Sequence, residues 1–498
     1  MANLFTNMVN NFGMWLGHQI APYINDALGQ RDSILTRYYT GDHNPQLKAS
    51  MGKDGRPIDD NIIQNFTGLA VDRSVSRLFR GGVQFNLPEG ADAQQEYIDK
   101  VWDLNKKEII LYQVGLHGAV YGTPYFQISP DAIIDPYTEK PYPRLIAIDP
   151  TIVRIKTNPQ DMNDVEEYRI EYACVEERNG RQVEVGHRKL IHHAMSEAQE
   201  VAGGVYLPSQ EMETWVIEEY EQVGGAPWEL IDQQDWPYNF PPIIHWKNLP
   251  SLKSCYGDSD IDDAVNIQNK SNFVVSNTGK IIKFHAHPET IGTGFQINEM
   301  KAIDQAVGSF HAIPNADAKV YNLEMQSDLA SSVTFGNILR QSIFDIAREV
   351  DISSITDKVG ALTNFGLHVL YTDALDKNDT KRQLYGDALK ELNRRLLVIA
   401  GFTGADSDPG KITWGEAMIV NTLEEMQVDQ LALNMKIVDL ETITKRYQSR
   451  YGVDWETIQA NLGNQALKDN ANNADIGTTI LRNFTQGRGV TVPARQPR

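Results

Sequence analysis

The chain has 498 residues, of which 46 are basic and 66 acidic, so its formal net charge is −20. This balance argues against a sequence-specific nucleic-acid binder, whose affinity depends on basic side chains that neutralise phosphates. The two cysteines, Cys174 and Cys255, exclude a disulfide framework and a zinc site made of cysteines alone, and they favour a reducing compartment. The chain lacks an apolar run of membrane-spanning length and the pattern of a signal peptide, so we expect a soluble, non-secreted protein.

The first 258 residues predict an α+β region. Helical periodicity predicts helices over 11–40, 62–78, 91–104 and 106–121, with Asp60 or Asn61 capping the second. Between 124 and 246 the apolar residues alternate, which is typical of an antiparallel or mixed sheet. The predicted strands, including one between the helices, are 83–85, 125–128, 145–148, 168–174, 181–187, 214–220 and 243–246.

The centre of the chain predicts two long helices separated by a small insert. The first helix covers 259–283, with Ser259 or Asp260 as its N-cap, and the return helix covers 327–350. The insert has strand-like ends at 283–287 and 319–323. A third long helix is predicted at 366–400, after a polar loop. This layout is that of an elongated spindle and not of a catalytic pocket.

The last hundred residues predict a short strand and more helices. The strand is 412–414, and the helices are 421–450 and 454–467. The final thirty residues are rich in Asn, Gly and Gln, which predicts a mobile tail.

Motifs for catalysis or metal binding are weak. The Gly-Lys pairs beginning at Gly52, Gly279 and Gly410 lack the Ser or Thr that a phosphate-binding loop requires. His285, His287 and His311 could ligate a metal, but surface or interface histidines are the favoured interpretation. Asp258, Asp260 and Asp262 resemble the start of a calcium loop. Asp263 stands where glycine is needed, so we interpret these acids as helix caps. No cofactor or metal is predicted.

Basic residues are sparse along the central helices. They are either ordinary solvated charges or thin rings that face a polyanion, and the sequence leaves both interpretations open. These residues are Lys280, Lys283, Arg340, Arg348 and Lys358.

Several segments, in this order, carry a resemblance to a known family. They are Arg37-Tyr-Tyr-Thr-Gly-Asp-His43, Val71-Asp-Arg-Ser-Val-Ser-Arg-Leu-Phe-Arg-Gly81, Leu145-Ile-Ala-Ile-Asp-Pro150, Pro242-Ile-Ile-His-Trp-Lys-Asn248, Gly257-Asp-Ser-Asp-Ile-Asp262 and Ile412-Thr-Trp414. Over about residues 20–460 their collinear order resembles the portal proteins of tailed bacteriophages, in particular the siphovirus-like group.

The resemblance implies a portal fold with an α/β wing, a two-helix stem, a small α/β clip insert and an α-helical crown. In this sequence the N-terminal wing is 1–258, including the strand-rich 124–246. The remaining parts are stem helix 1 at 259–283, the clip at 284–326, stem helix 2 at 327–350, the channel (tunnel) loop at 351–364, the long wing helix and wing strand at 366–440, and the crown with its mobile tail at 441–498.

The resemblance also implies a non-enzymatic homo-oligomeric ring, dodecameric in the virion, at one capsid vertex. Its implied partners are double-stranded DNA that passes without sequence specificity, the terminase large subunit, a head-completion adaptor, and the major capsid and scaffolding proteins, with assembly in the host cytoplasm and no membrane. The alternatives are another virion structural protein, such as an adaptor or minor capsid protein, and a soluble enzyme that uses the insert histidines.

Candidate site residues follow from this assignment. The channel loop contributes Ser353, Ser354, Thr356, Asp357 and Lys358. The residues expected to face DNA are Lys280, Lys283, Arg340 and Arg348. The residues expected to dock the motor or adaptor at the clip are Glu289, Glu299 and Asp304.

Overall fold

The computed structural model describes most of the chain up to residue 439 and little beyond it. The described residues are 21–22, 26–43, 50–51, 57–58, 60–178, 180–195, 199–201, 205–207, 211–252, 254–286, 289–293, 319–323, 329–354, 364–418, 422–439, 442–443 and 459–460. The chain divides into two compact units, Met1–Met418 and Ile419–Arg498. Helices and antiparallel sheets are both present, so the predicted α+β class is confirmed.

Seven helices are described in the first unit and one in the second. In the first unit they are α1 (Ala27–Thr40), α2 (Phe66–Leu78), α3 (Asp92–Leu104), α4 (Lys107–Tyr121), α5 (Val265–Ala286), α6 (Leu329–Ile346) and α7 (Asn364–Ile399). The second unit contains α8 (Thr422–Asn434), which is followed by a turn where helix had been predicted to continue to residue 450. Among the described residues, no helix is both long and apolar enough to cross a membrane.

The strands that the structure describes lie in the first unit. They are β1 (Ala21–Pro22), β2 (Ser50–Met51), β3 (Pro57–Ile58), β4 (Val83–Asn86), β5 (Tyr125–Ile134), β6 (Pro141–Ile148), β7 (Val153–Asn158), β8 (Asp161–Arg178), β9 (Arg181–Met195), β10 (Gln199–Val201), β11 (Val205–Leu207), β12 (Glu211–Val223), β13 (Glu229–Trp236), β14 (Ile243–His245), β15 (Glu289–Thr293), β16 (Lys319–Leu323) and β17 (Lys411–Trp414).

The main sheet has the order β1-β8-β9-β12-β13, and β7 also pairs with β8. A second sheet has the order β14-β5-β6, and β4 pairs with β17. All these pairings are antiparallel. The strand β13 was missed from sequence because seven of its eight residues are exposed, which leaves no apolar alternation to detect.

The core of the first unit lies between these strands and the long helix α7. Tyr385, Leu389, Leu392 and Leu396 follow one face of α7 and are fully buried. Trp102 of α3 packs in the same core, and its indole N–H donates to Asn393 Oδ1 of α7 over 2.8 Å. The helix α7 is therefore the element on which the sheets and the neighbouring helices converge.

The helices α5 and α6 pack along each other, and the antiparallel ribbon β15–β16 lies between them in sequence. This arrangement matches the predicted order of helix, insert and helix. The predicted strand at 283–287 is wrong, because α5 stays helical through Ala286 and the ribbon begins at Glu289.

Two predicted helix starts are also wrong. Residues 21–22 form an edge strand on β8, and α1 begins later, with Asp26 accepting a hydrogen bond from Gly29 N. The helix predicted from residue 62 begins at Phe66, with Asn65 as its N-cap in place of Asp60 or Asn61. The reason lies in the contacts of residues 62–66 with α5.

Candidate functional site

One face of α5 carries polar side chains that hold the extended segment 62–66. Ser276 Oγ, Asn272 Oδ1 and Gln268 Oε1 accept hydrogen bonds from the backbone N–H groups of Ile62, Gln64 and Phe66, over 2.8, 2.9 and 3.2 Å. The three side chains are spaced four residues apart, so they form one stripe along the helix. Ser276 Oγ and Gln268 Nε2 also donate to the carbonyls of Ile62 and Gln64, which a helix starting at residue 62 would need for its own hydrogen bonds, and this explains the late start of α2. We call Gln268, Asn272 and Ser276 the amide ladder.

His43 links the amide ladder to α1. It belongs to the first of the segments that carry the family resemblance. Its ring stacks on Tyr38 at 4.6 Å, and Asn272 Nδ2 donates to its Nδ1 over 2.7 Å. Thr67 Oγ1 donates to the carbonyl of Tyr38 over 2.7 Å. Burial lowers the pKa of His43, so the imidazole is held neutral and can accept that hydrogen bond.

The chain enters α5 through a close backbone contact. Gly122 has a φ of 91°, and a Cβ atom there would lie 2.2 Å from the carbonyl oxygen of Gly257. Only glycine permits this approach. Asp260 N donates to the carbonyl of Ala119 over 2.8 Å, and Asn248 Nδ2 donates to Asp260 Oδ1 over 3.0 Å. The start of α5 is thereby fixed to the end of α4.

Asp260 lies in a buried ionic group that we call the junction cluster, formed with Ser74, Lys377 and Lys381. Lys381 Nζ donates to Asp260 Oδ2 over 2.5 Å and to Ser74 Oγ over 3.0 Å. Lys377 Nζ lies 3.2 Å from the same carboxylate oxygen. The side chains of all three charged residues are at most 3% exposed. Asp260 is therefore not a helix cap, as the sequence had suggested, but the counter-ion of two lysines on α7.

Two ammonium groups share one carboxylate in this cluster. Burial alone raises the pKa of Asp260, but the charges of Lys377 and Lys381 outweigh burial and bring it well below its ordinary value. Burial, together with the charge of Lys377, lowers the pKa of Lys381 to about 8, although Asp260 acts in the opposite direction. The cluster consequently ties α5, α2 and α7 together through charges that have no access to water.

The segment after α6 is held by a group of cations that we call the loop clamp: Arg73, Arg77, Arg340 and Lys377. Arg77 makes a two-point contact with the buried carboxylate of Glu349, over 2.9 and 2.6 Å. Lys377 Nζ donates to the carbonyl of Ala347 over 2.8 Å, and Arg73 donates to that of Val350 over 2.9 Å. These contacts fix the backbone from 347 to 350.

Arg340 extends the loop clamp to the first residues of the predicted channel loop. Its guanidinium lies over the ring of Phe66 at 5.0 Å and donates to Asp351 Oδ1 over 2.8 Å and to Ser353 Oγ. Partial burial raises the pKa of Asp351, but hydrogen bonds from Ser353 and Arg340 outweigh it, and the net pKa is lowered. The start of the loop is thus an ordered, charged turn.

The residues predicted to face DNA have different surroundings. Lys280 is half-buried, and Lys283 is exposed and lies 2.8 Å from Asp60 Oδ1. Arg340 holds Asp351, as described, whereas Arg348 is exposed and has a φ of 51° in the turn after α6.

The remaining predicted site residues are only partly described. Ser353 and Ser354 lie in a 3-10 turn, and Glu289 begins β15. Thr356, Asp357, Lys358, Glu299 and Asp304 lie outside the described residues. So do His287 and His311 of the weak metal motif, and His285 lies in helix where a strand had been assumed.

The sequence interpretation named Asp260 and Arg340, in other roles, but missed the remaining residues of the junction cluster and the loop clamp. A signal for them exists on α7: Lys377 and Lys381 continue, at intervals of four, the stripe that begins with the buried Tyr385 and Leu389. Lysines at core positions of a helix require buried acidic partners. That requirement could have drawn attention to Asp260.

Comparison with known proteins shows which family the chain resembles over most of its length. A family model described as phage portal protein, SPP1 Gp6-like, matches residues 23–468. No curated protein matches the chain.

Proposed function

The chain belongs to the SPP1 Gp6-like family of phage portal proteins, and we propose that it forms a ring, dodecameric in the virion, that conducts DNA through one capsid vertex. The match over residues 23–468 carries the proposal, because it covers most of the chain. The parts are the wing at 1–258, the stem at 259–283 and 327–350, the clip at 284–326, the channel loop at 351–364, the wing helix and strand at 366–440, and the crown at 441–498.

Exposed apolar side chains on the stem helices support the ring. They are Ile282 on α5 with 52% of its surface exposed, and Val333, Phe335 and Ile338 on α6 with 43–55%. Apolar side chains exposed in a single copy are covered when copies pack side by side. A closed ring gives every copy the same two neighbours and covers this surface throughout.

The loop clamp supports a role for residues 351–364 in contact with DNA. The loop starts from a turn held by Arg340, while its later residues carry small and polar side chains in the sequence. The chain's net charge of −20 disfavours tight phosphate binding elsewhere, so DNA slides along a repelling wall. We assign the sparse DNA-facing contacts to this loop and to Lys280, Lys283, Arg340 and Arg348.

The clip is the proposed docking site for the terminase large subunit during packaging and for a head-completion adaptor afterwards. The antiparallel pairing of β15 with β16, which lie between the two stem helices in the sequence, supports a separate small insert at this point. Glu289, Glu299 and Asp304 are its proposed docking residues. The major capsid and scaffolding proteins are the proposed partners of the wing.

Electron microscopy combined with a packaging assay tests the proposal. We expect the purified protein to form closed rings with a central channel. A variant whose loop is shortened within 355–361 should form the same rings, because the contacts of the loop clamp stay intact. It should package or retain less DNA. A matched control is Lys156→Met, which removes an exposed charge on β7 that the proposal does not assign to DNA, and it should leave both ring formation and packaging unchanged.

The two parts of this experiment fail separately. A protein that stays monomeric at every concentration, with no channel, contradicts the portal assignment. Rings that package DNA normally with the shortened loop contradict only the role of the loop.

A further inference from the structure

A mixed group of potential metal ligands lies on one face of the main sheet. Cys174 and Glu176 are two residues apart on β8, so their side chains point to the same face. His187 on β9 and Glu221 on β12 are register partners on that face. Together with Arg178, these residues form what we call the sheet cluster.

The ligand atoms are already close together. Cys174 Sγ lies 3.6 Å from Glu176 Oε1, and His187 Nε2 lies 3.1 Å from that same oxygen. The three atoms all lie within 4.8 Å of one another. A tetrahedral zinc ion with bonds of about 2.0–2.3 Å needs ligand atoms roughly 3.5 Å apart, so small side-chain rotations suffice.

The surroundings orient the imidazole. Tyr172 stacks on the His187 ring with centroids 5.1 Å apart, and Glu221 Oε1 lies 4.0 Å from His187 Nδ1. A carboxylate beside the second ring nitrogen is the usual outer partner of a metal-bound histidine. His187 Nε2 is then directed towards Glu176 and Cys174.

From this geometry we infer that the sheet cluster is a binding site for a borderline-soft divalent cation, zinc above all. Cys174, Glu176 and His187 are its ligands, water fills the fourth position, and Glu221 orients the histidine. Thiolate and imidazole select zinc over magnesium or calcium, which prefer oxygen ligands alone. The bound ion cross-links β8 to β9, and the thiol proton is released to solvent when the Cys174 sulfur binds.

Arg178 competes with the metal. Its Nη2 lies 2.8 Å from Glu176 Oε2 and 3.0 Å from Glu221 Oε2. The guanidinium therefore supplies the positive charge that both carboxylates attract, and its side chain, 37% exposed, is free to turn into solvent when a cation binds. Removing this charge should strengthen metal binding.

Cobalt(II) titration of the purified ring-forming protein tests the inference, because thiolate-bound cobalt absorbs in the near ultraviolet. We expect a saturable band that added zinc abolishes. Cys174→Ser and His187→Gln should lose it, Glu221→Gln should weaken binding by about 10–100-fold, and Arg178→Met should tighten it.

Two matched controls come from the chain itself. Cys255→Ser changes the other cysteine, and His192→Gln changes a histidine whose Nε2 lies 3.5 Å from Glu218 instead. Both should keep the band at full strength. No band in the wild-type protein, or a band that persists in Cys174→Ser, overturns the site. Circular dichroism confirms that each variant is folded, so a lost band reports ligation.

Discussion

The junction cluster and the charged face of the main sheet are both built from ion pairs, but they differ in their access to water. In the junction cluster, Lys381 and Asp260 have side chains 1% exposed and meet at 2.5 Å. On the sheet, Lys189 and Glu219 meet at 2.6 Å with side chains 27% and 38% exposed. Nearly equal distances therefore describe different interactions, because water screens the second pair and not the first.

This difference shows where the stability of the fold depends on a single charge. An exposed pair can lose one member at little cost, since water solvates the remaining charge. A buried group that loses one member leaves an uncompensated charge in a dry site. The attachment of α5 to α7 should consequently be the part most sensitive to a single charge change, and the exposed pairs of the sheet the most tolerant.

The largest expected effect comes from Asp260→Asn. This change leaves Lys377 and Lys381 buried without a carboxylate, and we expect the free energy of unfolding to fall by about 3–5 kcal/mol. Urea denaturation at one fixed protein concentration measures it. The matched control is Asp262→Asn two residues later, where the carboxylate is 46% exposed and pairs with Arg31, and there we expect less than about 1 kcal/mol. Equal losses in the two variants would remove the distinction between buried and exposed pairs.

A second test uses pH. The His245 ring is enclosed by Tyr125 and Tyr168, and burial, helped by Arg395 and Lys247, lowers its pKa to about 4. Between about pH 6.5 and pH 4 the unfolded chain binds a proton that the folded chain does not, so stability falls as pH falls. We expect this residue to contribute about 1–3 kcal/mol to that loss.

His245→Gln is the variant that isolates this contribution. Glutamine keeps an acceptor for the Tyr168 hydroxyl, which donates to the histidine over 2.9 Å in one tautomer. Urea midpoints from pH 7 to pH 4 should decline less steeply in the variant than in the wild type. Parallel declines would show that other groups dominate the acid sensitivity.

The smallest expected effect is on the sheet. Lys189→Ala removes one exposed partner of Glu219, and we expect a loss below about 1 kcal/mol that shrinks further in high salt. Thermal unfolding at low and high ionic strength checks both statements. A large loss that salt does not reduce would place this pair in the same class as the junction cluster.

Residues that repeat with a regular period were predictable from the sequence. The stripe on α7 predicted a helix because α7 buries one face. The apolar residues of β5 and β12 predicted strands, although 125–128 and 215–217 are buried on both faces. The order of helix, insert and helix also followed from such patterns, whereas the family followed from the resemblance of several short segments in collinear order. Boundaries set by distant partners did not: α2 starts late because side chains of α5 hold residues 62–66.

The candidate site was harder to predict for the same reason. Asp260 stands where a helix cap is expected, and its partner Lys381 is 121 residues further along the chain. Arg340 was identified as a notable cation, but nothing local to it indicates that Asp351 and Phe66 are its contacts. Such pairs form only when particular helices and strands pack together, and hydrophobic periodicity does not reveal that packing.

The amide ladder has a mechanical consequence. Gln268, Asn272 and Ser276 all engage the segment 62–66 from one stripe of α5, so rotating that helix about its own axis carries all three away from it together. Rotation of α5 therefore strains all three hydrogen bonds at the same time. A twist of α5 is therefore passed through Phe66 into α2, and we expect these two helices to turn together.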